Sequence, residues 1–270
     1  MTKKVKYLRV TADDFGLTKG VTDGIIKCHK DGILTHTSIM CNSIDFERAI
    51  DICKGIPTLN IGVHLNLTYG MPLIQNANSL INKYQSFYNL KNFVIKYIMG
   101  KISKEQIYKE WSAQISKVLN LGIKITHLDS HHHIHMLPGV NKIIKECARN
   151  FSVPYIRNTS EMLSFKEKGM KINLKKLIFL FLSIINSEGS KSYEFKGLYM
   201  HGKKNFKTLL MNLINNLNFG VTELMVHPGF PDSQLADQDS YVNERLIELN
   251  ALCSKEIIEL IDSKNIILLR

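Results

Sequence analysis

Five of the chain's ten histidines lie within the nine residues from His127 to His135, in the segment HLDSHHHIH. Asp129 lies among them, so imidazoles and a carboxylate are concentrated in one short stretch. These side chains bind divalent transition metals and exchange protons near neutral pH. The segment therefore predicts a site for metal-assisted or acid–base chemistry.

Three other segments carry comparable residues, each where an apolar, strand-like run ends. Asp13 and Asp14 follow VKYLRVTA, His64 lies in GVHLNL, and His227 lies in MVHPGF. In α/β barrels the active site lies at the carboxyl ends of the strands. These positions therefore predict one shared site at that end of a barrel.

An extended segment over 123–131 would place His127, Asp129 and His131 on one face, because side chains alternate along a strand. Burying several polar groups on one face requires a cation or a dense hydrogen-bond network. Asp14, His64 and one histidine of the cluster would supply a carboxylate and two imidazoles, a common set for a divalent ion with open positions. On these residues alone, deacetylation, phosphoester hydrolysis and other metal-assisted hydrolysis all stay open.

The periodicity of apolar residues predicts strands that alternate with helices, which is typical of a mainly parallel sheet. We predict an α/β fold, a single-domain distorted (β/α) TIM-like barrel over residues 1–270, with the metal site at the carboxyl ends of its strands. The predicted strands are 5–12, 37–40, 59–67, 123–129, 153–157, 221–226 and 266–269. The predicted helices are 19–31, 46–54, 104–119, 141–149, 206–217 and 244–261.

Composition narrows the classes of partner. The formal charge of +11 comes from lysines spread along the chain, without an arginine-rich block, so we expect no nucleic-acid partner. The most apolar stretch, 177–185, is about half the ~20 residues that span a bilayer, so we expect no transmembrane segment. The N-terminus lacks the apolar stretch of a signal peptide, and the five cysteines form no CxxC pair. These features predict a cytoplasmic protein.

Four blocks together resemble a known family. TADDFGLTKGVTDGI, IGVHLNLTYGMPL, THLDSHHHIHMLP and ELMVHPGFPD, in this order, are similar to the YdjC-like carbohydrate deacetylases. That family includes chitooligosaccharide deacetylases, which remove acetyl groups from N-acetylglucosamine units. The resemblance implies a distorted (β/α) barrel, one divalent metal ion, generally magnesium, and an acetylated carbohydrate substrate. Family members often form homodimers, which is the oligomeric state expected here.

The resemblance also implies roles for individual residues. The metal ligands would be Asp14, His64 and His131, although His127 could replace His131 because it lies on the same face of the predicted strand. Two imidazoles suit zinc or another transition metal better than magnesium, which prefers oxygen ligands. The remaining roles are Asp13 as general base, His227 as general acid, Arg157 as a contact to substrate or oxyanion, Asp129 and His127 as residues that orient the site, and His132, His133 and His135 as supporting residues.

The expected function is therefore a metal-dependent carbohydrate N-deacetylase that releases acetate. One alternative is a metal-dependent phosphoesterase, which would more naturally use two metal ions and more carboxylates. Another is a non-catalytic barrel that binds metal or carbohydrate, but binding alone requires no acid–base pair. A nucleic-acid-binding role rests only on net charge.

Overall fold

The structure is a computed structural model that describes residues 4–159, 161, 193–237 and 239–270. In these residues, strands and helices alternate, and a 3-10 turn, His131–Met136, follows the fourth strand. The strands are β1 (Lys6–Phe15), β2 (His36–Ile39), β3 (Asn60–Leu65), β4 (Ile125–Ser130), β5 (Glu194–Lys196), β6 (Gly220–Val226) and β7 (Ile266–Leu268). The helices are α1 (Lys19–Asp31), α2 (Phe46–Lys54), α3 (Leu90–Ile98), α4 (Lys104–Asn120), α5 (Val140–Asn150), α6 (Phe206–Asn215), α7 (Ser233–Ala236), α8 (Asn243–Leu252) and α9 (Lys255–Ser263).

The strands form one curled sheet in which every pair is parallel, in the order β4-β3-β2-β1-β6-β5, with β7 also paired to β1. The predicted distorted α/β barrel is confirmed. The distortion is visible at β1, where β6 occupies one edge along Lys6–Ala12. On the other edge, β7 pairs with Lys6–Leu8 and β2 pairs from Thr11 onward, so two strands share it.

Residues 153–157, predicted as a strand, run beside β4, but with the described residues they form only one bridge, between Ile156 and Leu128. The Leu128 amide donates to the Tyr155 carbonyl at 2.9 Å, and the Arg157 amide donates to the Leu128 carbonyl at 3.0 Å. Tyr155 Oη and Arg157 Nε then donate to the carboxylate of Glu223 on β6, at 2.6 and 3.1 Å. In the described part of the chain, side chains rather than a backbone ladder therefore link the β4 side of the sheet to β6.

Three local predictions differ from the structure. The first strand continues beyond Ala12 to Phe15, so both aspartates belong to β1. The helix predicted over 244–261 is two helices, because the backbone is extended at Ser254, where α9 begins. Serine is common at the position before a helix, although the Ser254 side chain makes no capping hydrogen bond to α9. Segment 70–100, which carried no predicted element, contains α3.

Most of segment 165–200, left unassigned by the sequence, lies outside the described residues, except for β5 and its surroundings. Within the described part of the chain, no helix is long and apolar enough to cross a membrane. The prediction of one domain over residues 1–270 stays a prediction.

The interior of the curled sheet is polar along β1. Arg9 and Thr11 both contact Glu223 inside the sheet, whereas the alternate residues Leu8 and Val10 belong to the hydrophobic core. This is the alternation expected of a strand with two buried faces of different character. The polar face leads directly to the aspartates at the end of the strand.

Two histidines lie deep in this interior. The rings of His36 and His127 meet edge to face, with centroids 5.8 Å apart. Gly62 makes room for His127, because a Cβ at that position would lie 2.3 Å from the imidazole. Burial, and then Arg9, lower the pKa of His36 to about 2 and hold the pKa of His127 well below its usual value.

These histidines predict acid sensitivity of the fold. Each stays neutral in the folded chain but takes up a proton in the unfolded chain below its ordinary pKa, so the free energy of unfolding falls as pH drops below about 6.5. We expect His36→Asn to reduce this slope by about 1.4 kcal/mol per pH unit. Urea denaturation of the wild type and the variant from about pH 6.5 to 5 measures the two slopes. The difference in unfolding free energy between the two proteins at about pH 8 gives the pH-independent cost of the substitution, which is subtracted. An unchanged slope would contradict the assignment.

Candidate metal centre

A cavity of about 690 Å³ opens at the carboxyl ends of the strands. Five residues predicted as metal ligands, general base or general acid line it. Each lies at the end of a strand or directly after one. These residues are Asp13, Asp14, His64, His131 and His227. Parallel strands end at the same edge of the barrel, so positions far apart in sequence meet there.

Both neighbouring aspartates face the cavity because the backbone changes direction between them. Side chains normally alternate along a strand, but Asp14 has a φ of 67°, in the left-handed region. The pairing of β1 with β2 also shifts register between Ala12 and Phe15. Such a conformation costs about 1–3 kcal/mol and persists only where surrounding contacts hold it.

Asp14, His64 and His131 form the centre of the site. Asp14 Oδ1 lies 3.4 Å from His64 Nε2 and 3.2 Å from His131 Nδ1, and the three donor atoms lie within 4.8 Å of one another. Asp14 Oδ1 is buried and makes no hydrogen bond to any described residue. One carboxylate oxygen and two imidazole nitrogens are the donor set that the sequence predicted for a divalent ion.

The His64 ring contacts Asp129 through the nitrogen that is not directed at Asp14. Its Nδ1 lies 2.7 Å from Asp129 Oδ1, so this nitrogen donates to the carboxylate and Nε2 faces Asp14, where a bound cation would take the place of its proton. Burial alone would lower the pKa of His64, but Asp129, then Asp13 and Asp14, outweigh it and raise the pKa to about 9. The contact fits the orienting role expected of Asp129, which stays a prediction.

His131 is positioned by a tight turn. The two following residues, His132 and His133, both have left-handed backbone angles, with φ of 56° and 54°. Ser130 closes the turn, because its hydroxyl accepts from the His135 amide at 3.0 Å and contacts the ring Nδ1 at 2.6 Å. The HHH run therefore contributes one ring, that of His131, to the group with Asp14 and His64. His132 and His133 line the cavity, and His135 supports the turn.

Arg157 lies behind the cavity rather than in its wall. Its Nη1 donates to Asp13 Oδ2 at 2.7 Å, its Nη2 lies 2.9 Å from Asp129 Oδ2, and its Nε donates to Glu223 at 3.1 Å. The side chain is fully buried, and Arg157 is not among the described residues that line the cavity. The sequence predicted that Arg157 contacts substrate, but in the structure three carboxylates already bind its guanidinium.

A second group of potential ligands, Asp13, His64 and Asp129, overlaps the first. Arg157 occupies both of its carboxylates, and Asp129 also accepts from His64. The guanidinium therefore already compensates the charge of the two carboxylates that a second cation would need. His127, the alternative ligand, belongs to neither group and lies deeper in the barrel, against His36.

Sequence reasoning missed Arg245 on α8. Its Nη2 donates to Asp14 Oδ2 at 2.7 Å and to Asp239 at 3.0 Å, which leaves Asp14 Oδ1 directed at the two histidines. Burial raises the pKa of Asp14, but Arg245, then His131, outweigh burial and hold it well below its usual value. Nothing in the local sequence distinguishes this arginine from one in a surface ion pair.

His227 lies across the cavity, with Nε2 3.9 Å from Asp13 Oδ2. Its backbone amide donates to Glu248 Oε2 at 2.6 Å, and its ring meets those of His201 and Tyr241 edge to face. Burial, and then His201, hold the pKa of His227 well below its usual value. Burial likewise raises the pKa of Asp13, against the opposing effect of Arg157.

The fold and the site define the class: an α/β barrel with a candidate divalent-metal centre at its strand ends. The chain belongs to the YdjC-like protein family, whose family model matches residues 7–263. The resemblance drawn from the four sequence blocks is thereby confirmed.

Similar proteins cover nearly the whole chain. The carbohydrate deacetylase of Thermoanaerobacter pseudethanolicus is 35% identical over 266 residues, which are 98% of this chain and 97% of the relative. The carbohydrate deacetylase of Clostridium beijerinckii is 33% identical over 261 residues, 96% of each chain. A solved structure of a candidate cellobiose-phosphate cleavage protein from Enterococcus faecalis V583 superposes with a TM-score of 0.79 at 28% identity, covering 98% of this chain and 97% of that one.

The contact between Asp129 and His64 predicts an effect on cation binding. In Asp129→Asn the charge that orients and polarises His64 is lost, so we expect divalent-cation affinity to fall by about 10- to 100-fold. Isothermal titration of the chelator-stripped protein with zinc or magnesium measures it. Asp45→Asn, which removes a carboxylate that pairs with Arg48 outside the cavity, is the matched control. Equal affinity of wild type and Asp129→Asn would refute the orienting role.

The burial of Arg157 predicts an effect on stability. Arg157→Met removes the cation that three buried carboxylates share, so we expect the free energy of unfolding to fall by about 3–5 kcal/mol. Urea denaturation measures the change, and Lys91→Met, at an exposed lysine lining the same cavity, is the control. A residue that only contacted substrate would lower activity while leaving stability at the wild-type value.

Proposed function

We propose that the protein is a metal-dependent hydrolase that removes acetyl groups from N-acetylated carbohydrates and releases acetate. The substrate would be an oligosaccharide that contains N-acetylglucosamine, or a related acetamido sugar. The observation that carries the proposal is that one cavity brings the three-donor group of Asp14, His64 and His131 together with Asp13 and His227. Relatives named carbohydrate deacetylase support the substrate class.

The residues present fit a divalent ion. Asp14 offers a buried oxygen that makes no hydrogen bond to a described residue, and His64 presents Nε2 because Asp129 holds its other nitrogen. His131 supplies the third donor at 18% side-chain exposure, on the open side of the group. A bound divalent ion supplies Lewis acidity, which polarises a carbonyl oxygen and makes a nearby water easier to deprotonate.

Asp13 is the proposed general base. Its carboxylate lies beside the three-donor group, since it and Asp14 are adjacent in β1 and both line the cavity. Burial raises its pKa, which strengthens it as a proton acceptor compared with an exposed aspartate. Arg157 holds one oxygen, Oδ2, and Ser38 Oγ lies 3.5 Å from the other, so the carboxylate is fixed in position.

His227 is the proposed general acid, because an amide nitrogen leaves poorly unless it is protonated. Burial keeps its ring neutral in the free protein, so the proton must reach it in the course of the reaction. Asp13 Oδ2 lies 3.9 Å from Nε2, beyond direct hydrogen-bond distance, so the His227 ring must move closer for the proton taken from water to pass on to it. Once protonated, a histidine with a low pKa is a strong donor to the departing amine.

We assign Arg157 and Asp129 to positioning rather than to contact with substrate. Arg157 holds Asp13, the proposed base, and Asp129, which in turn holds His64. The two proposed functions of the site, proton transfer and metal binding, therefore share one buried support. His127 supports the barrel interior beneath them.

The alternative of a phosphoesterase with two metal ions is disfavoured by Arg157, which occupies the second acidic group. The proposal therefore expects one ion per chain, measurable by elemental analysis of the protein loaded with zinc or manganese. Magnesium as the native ion, a homodimer and a cytoplasmic location stay predictions. Sedimentation velocity tests the homodimer.

Acetate release tests the function. Chelator-stripped protein is incubated with N,N′-diacetylchitobiose, alone and after addition of magnesium, zinc, manganese or cobalt. We expect acetate only when one of these ions is present. Failure with every ion, on this substrate and on a panel of other acetamido sugars, would refute the deacetylase; release of phosphate from phosphoesters instead would support the rival.

Asp13→Asn tests the mechanism. We expect the variant to retain cation affinity but to lose about 10²–10⁴-fold in kcat, because the amide cannot accept the proton from water. Asp23→Asn, which removes a carboxylate paired with Lys19 and Arg48 at the surface, is the control and should leave kcat unchanged. Wild-type turnover in Asp13→Asn would remove Asp13 from the role of base.

A further inference from the structure

Two thiols outside the cavity lie in contact. Cys28 is on α1, and Cys253 immediately follows α8, yet their Sγ atoms are 3.7 Å apart across a sequence separation of 225 residues. Cys28 also lies 3.9 Å from the Leu249 carbonyl, as Cys41 and Cys53 lie near backbone carbonyls of their own, but the contact with Cys253 adds a second thiol. The deacetylase chemistry proposed for the cavity uses neither Cys28 nor Cys253.

We infer that Cys28 and Cys253 form a reversible disulfide bond, which fastens α1 to the end of α8 when the chain meets a low-molecular-weight disulfide as oxidant. A disulfide requires sulfur atoms about 2.05 Å apart, so the two atoms must approach by about 1.7 Å from their present contact. The helix that carries Cys28, α1, already packs against α8, the helix that ends just before Cys253. Because Cys28 and Cys253 are 225 residues apart, they form no CxxC motif, and their proximity exists only in the folded chain.

The two cysteines differ in the way that such an exchange requires. Cys253 is partly exposed, whereas Cys28 is fully buried. Contact with Cys28, and then the nearby Lys27, lower the pKa of Cys253, while burial raises the pKa of Cys28. Since the thiolate is the attacking species, Cys253 would react first and Cys28 would resolve the intermediate.

The reaction balances in two steps with glutathione disulfide as the oxidant. The Cys253 thiolate attacks one sulfur of glutathione disulfide, which forms a mixed disulfide and releases one glutathione thiolate. Cys28 then loses its proton and attacks the Cys253 sulfur, which forms the internal bond and releases the second glutathione. The two cysteines are oxidised by two electrons, and glutathione disulfide is reduced by the same two electrons.

The bond would act on the helix that supports the candidate site. α8 carries Arg245, which holds Asp14, and Glu248, which accepts from the His227 amide. Fixing the end of α8 to α1 restricts the separation of these elements in the unfolded and partly unfolded chain. We therefore expect the oxidised protein to melt at a higher temperature than the reduced protein.

The experiment is a titration of the full chain with glutathione redox buffers, followed by non-reducing peptide mapping and thermal melting. We expect a peptide linking Cys28 to Cys253 with the loss of two hydrogens, reversal by dithiothreitol, and a higher Tm. In Cys28→Ser the mixed disulfide cannot be resolved, so Cys253 should accumulate a glutathione adduct. Cys53→Ser is the matched control and should keep both the link and the Tm shift.

Two results would overturn the inference. The first is a wild-type protein that carries only glutathione adducts or links between chains. The second is an internal link that forms equally in Cys253→Ser, which would place the bond elsewhere. Both measurements are independent of acetate release, so the disulfide can fail or stand whatever the cavity catalyses.

Discussion

The guanidinium of Arg157 binds carboxylates from three strands at one buried point. Asp13 comes from β1, Asp129 from β4 and Glu223 from β6, at 2.7, 2.9 and 3.1 Å. Carboxylates this close repel one another strongly in a medium of low dielectric, so they can share the interior only around a cation. The same contact closes the irregular side of the barrel and fixes two residues of the candidate site. Fold and site therefore depend on one set of ion pairs.

Each of the two adjacent aspartates has its own arginine, and this gives them opposite character. Arg245 holds Asp14, with His131 and His64 on the other side, so the pKa of Asp14 is lowered and it stays an ionised donor. Arg157 is shared among three acids, so burial prevails at Asp13 and raises its pKa. Identical side chains in successive positions thus suit the two proposed roles, metal ligand and proton acceptor, because their surroundings differ.

Strain is concentrated at the same place. Asp14, His132 and His133 all adopt left-handed backbone angles, which few residues other than glycine accept readily. Contacts from elsewhere offset the cost: Arg245 binds Asp14, Thr68 lies 2.9 Å from His132 Nδ1, and Ser130 closes the turn. The rings that surround the cavity are thereby held in place before any ligand enters.

The sequence by itself determined the alternating architecture and the family, and it predicted the five residues that meet at the cavity, with His127 left as an alternative to His131. The periodicity of apolar residues reports local structure, and parallel strands end at one edge of the barrel. Asp14 and His64 could therefore be placed together from the sequence alone. Only the tertiary structure decided the support behind them. The partners of Arg157 and Arg245 lie up to 144 and 231 residues away along the chain, and the contact of Cys28 with Cys253 is as remote. Such pairs depend on how the whole chain packs, because no local pattern distinguishes a buried arginine from an exposed one.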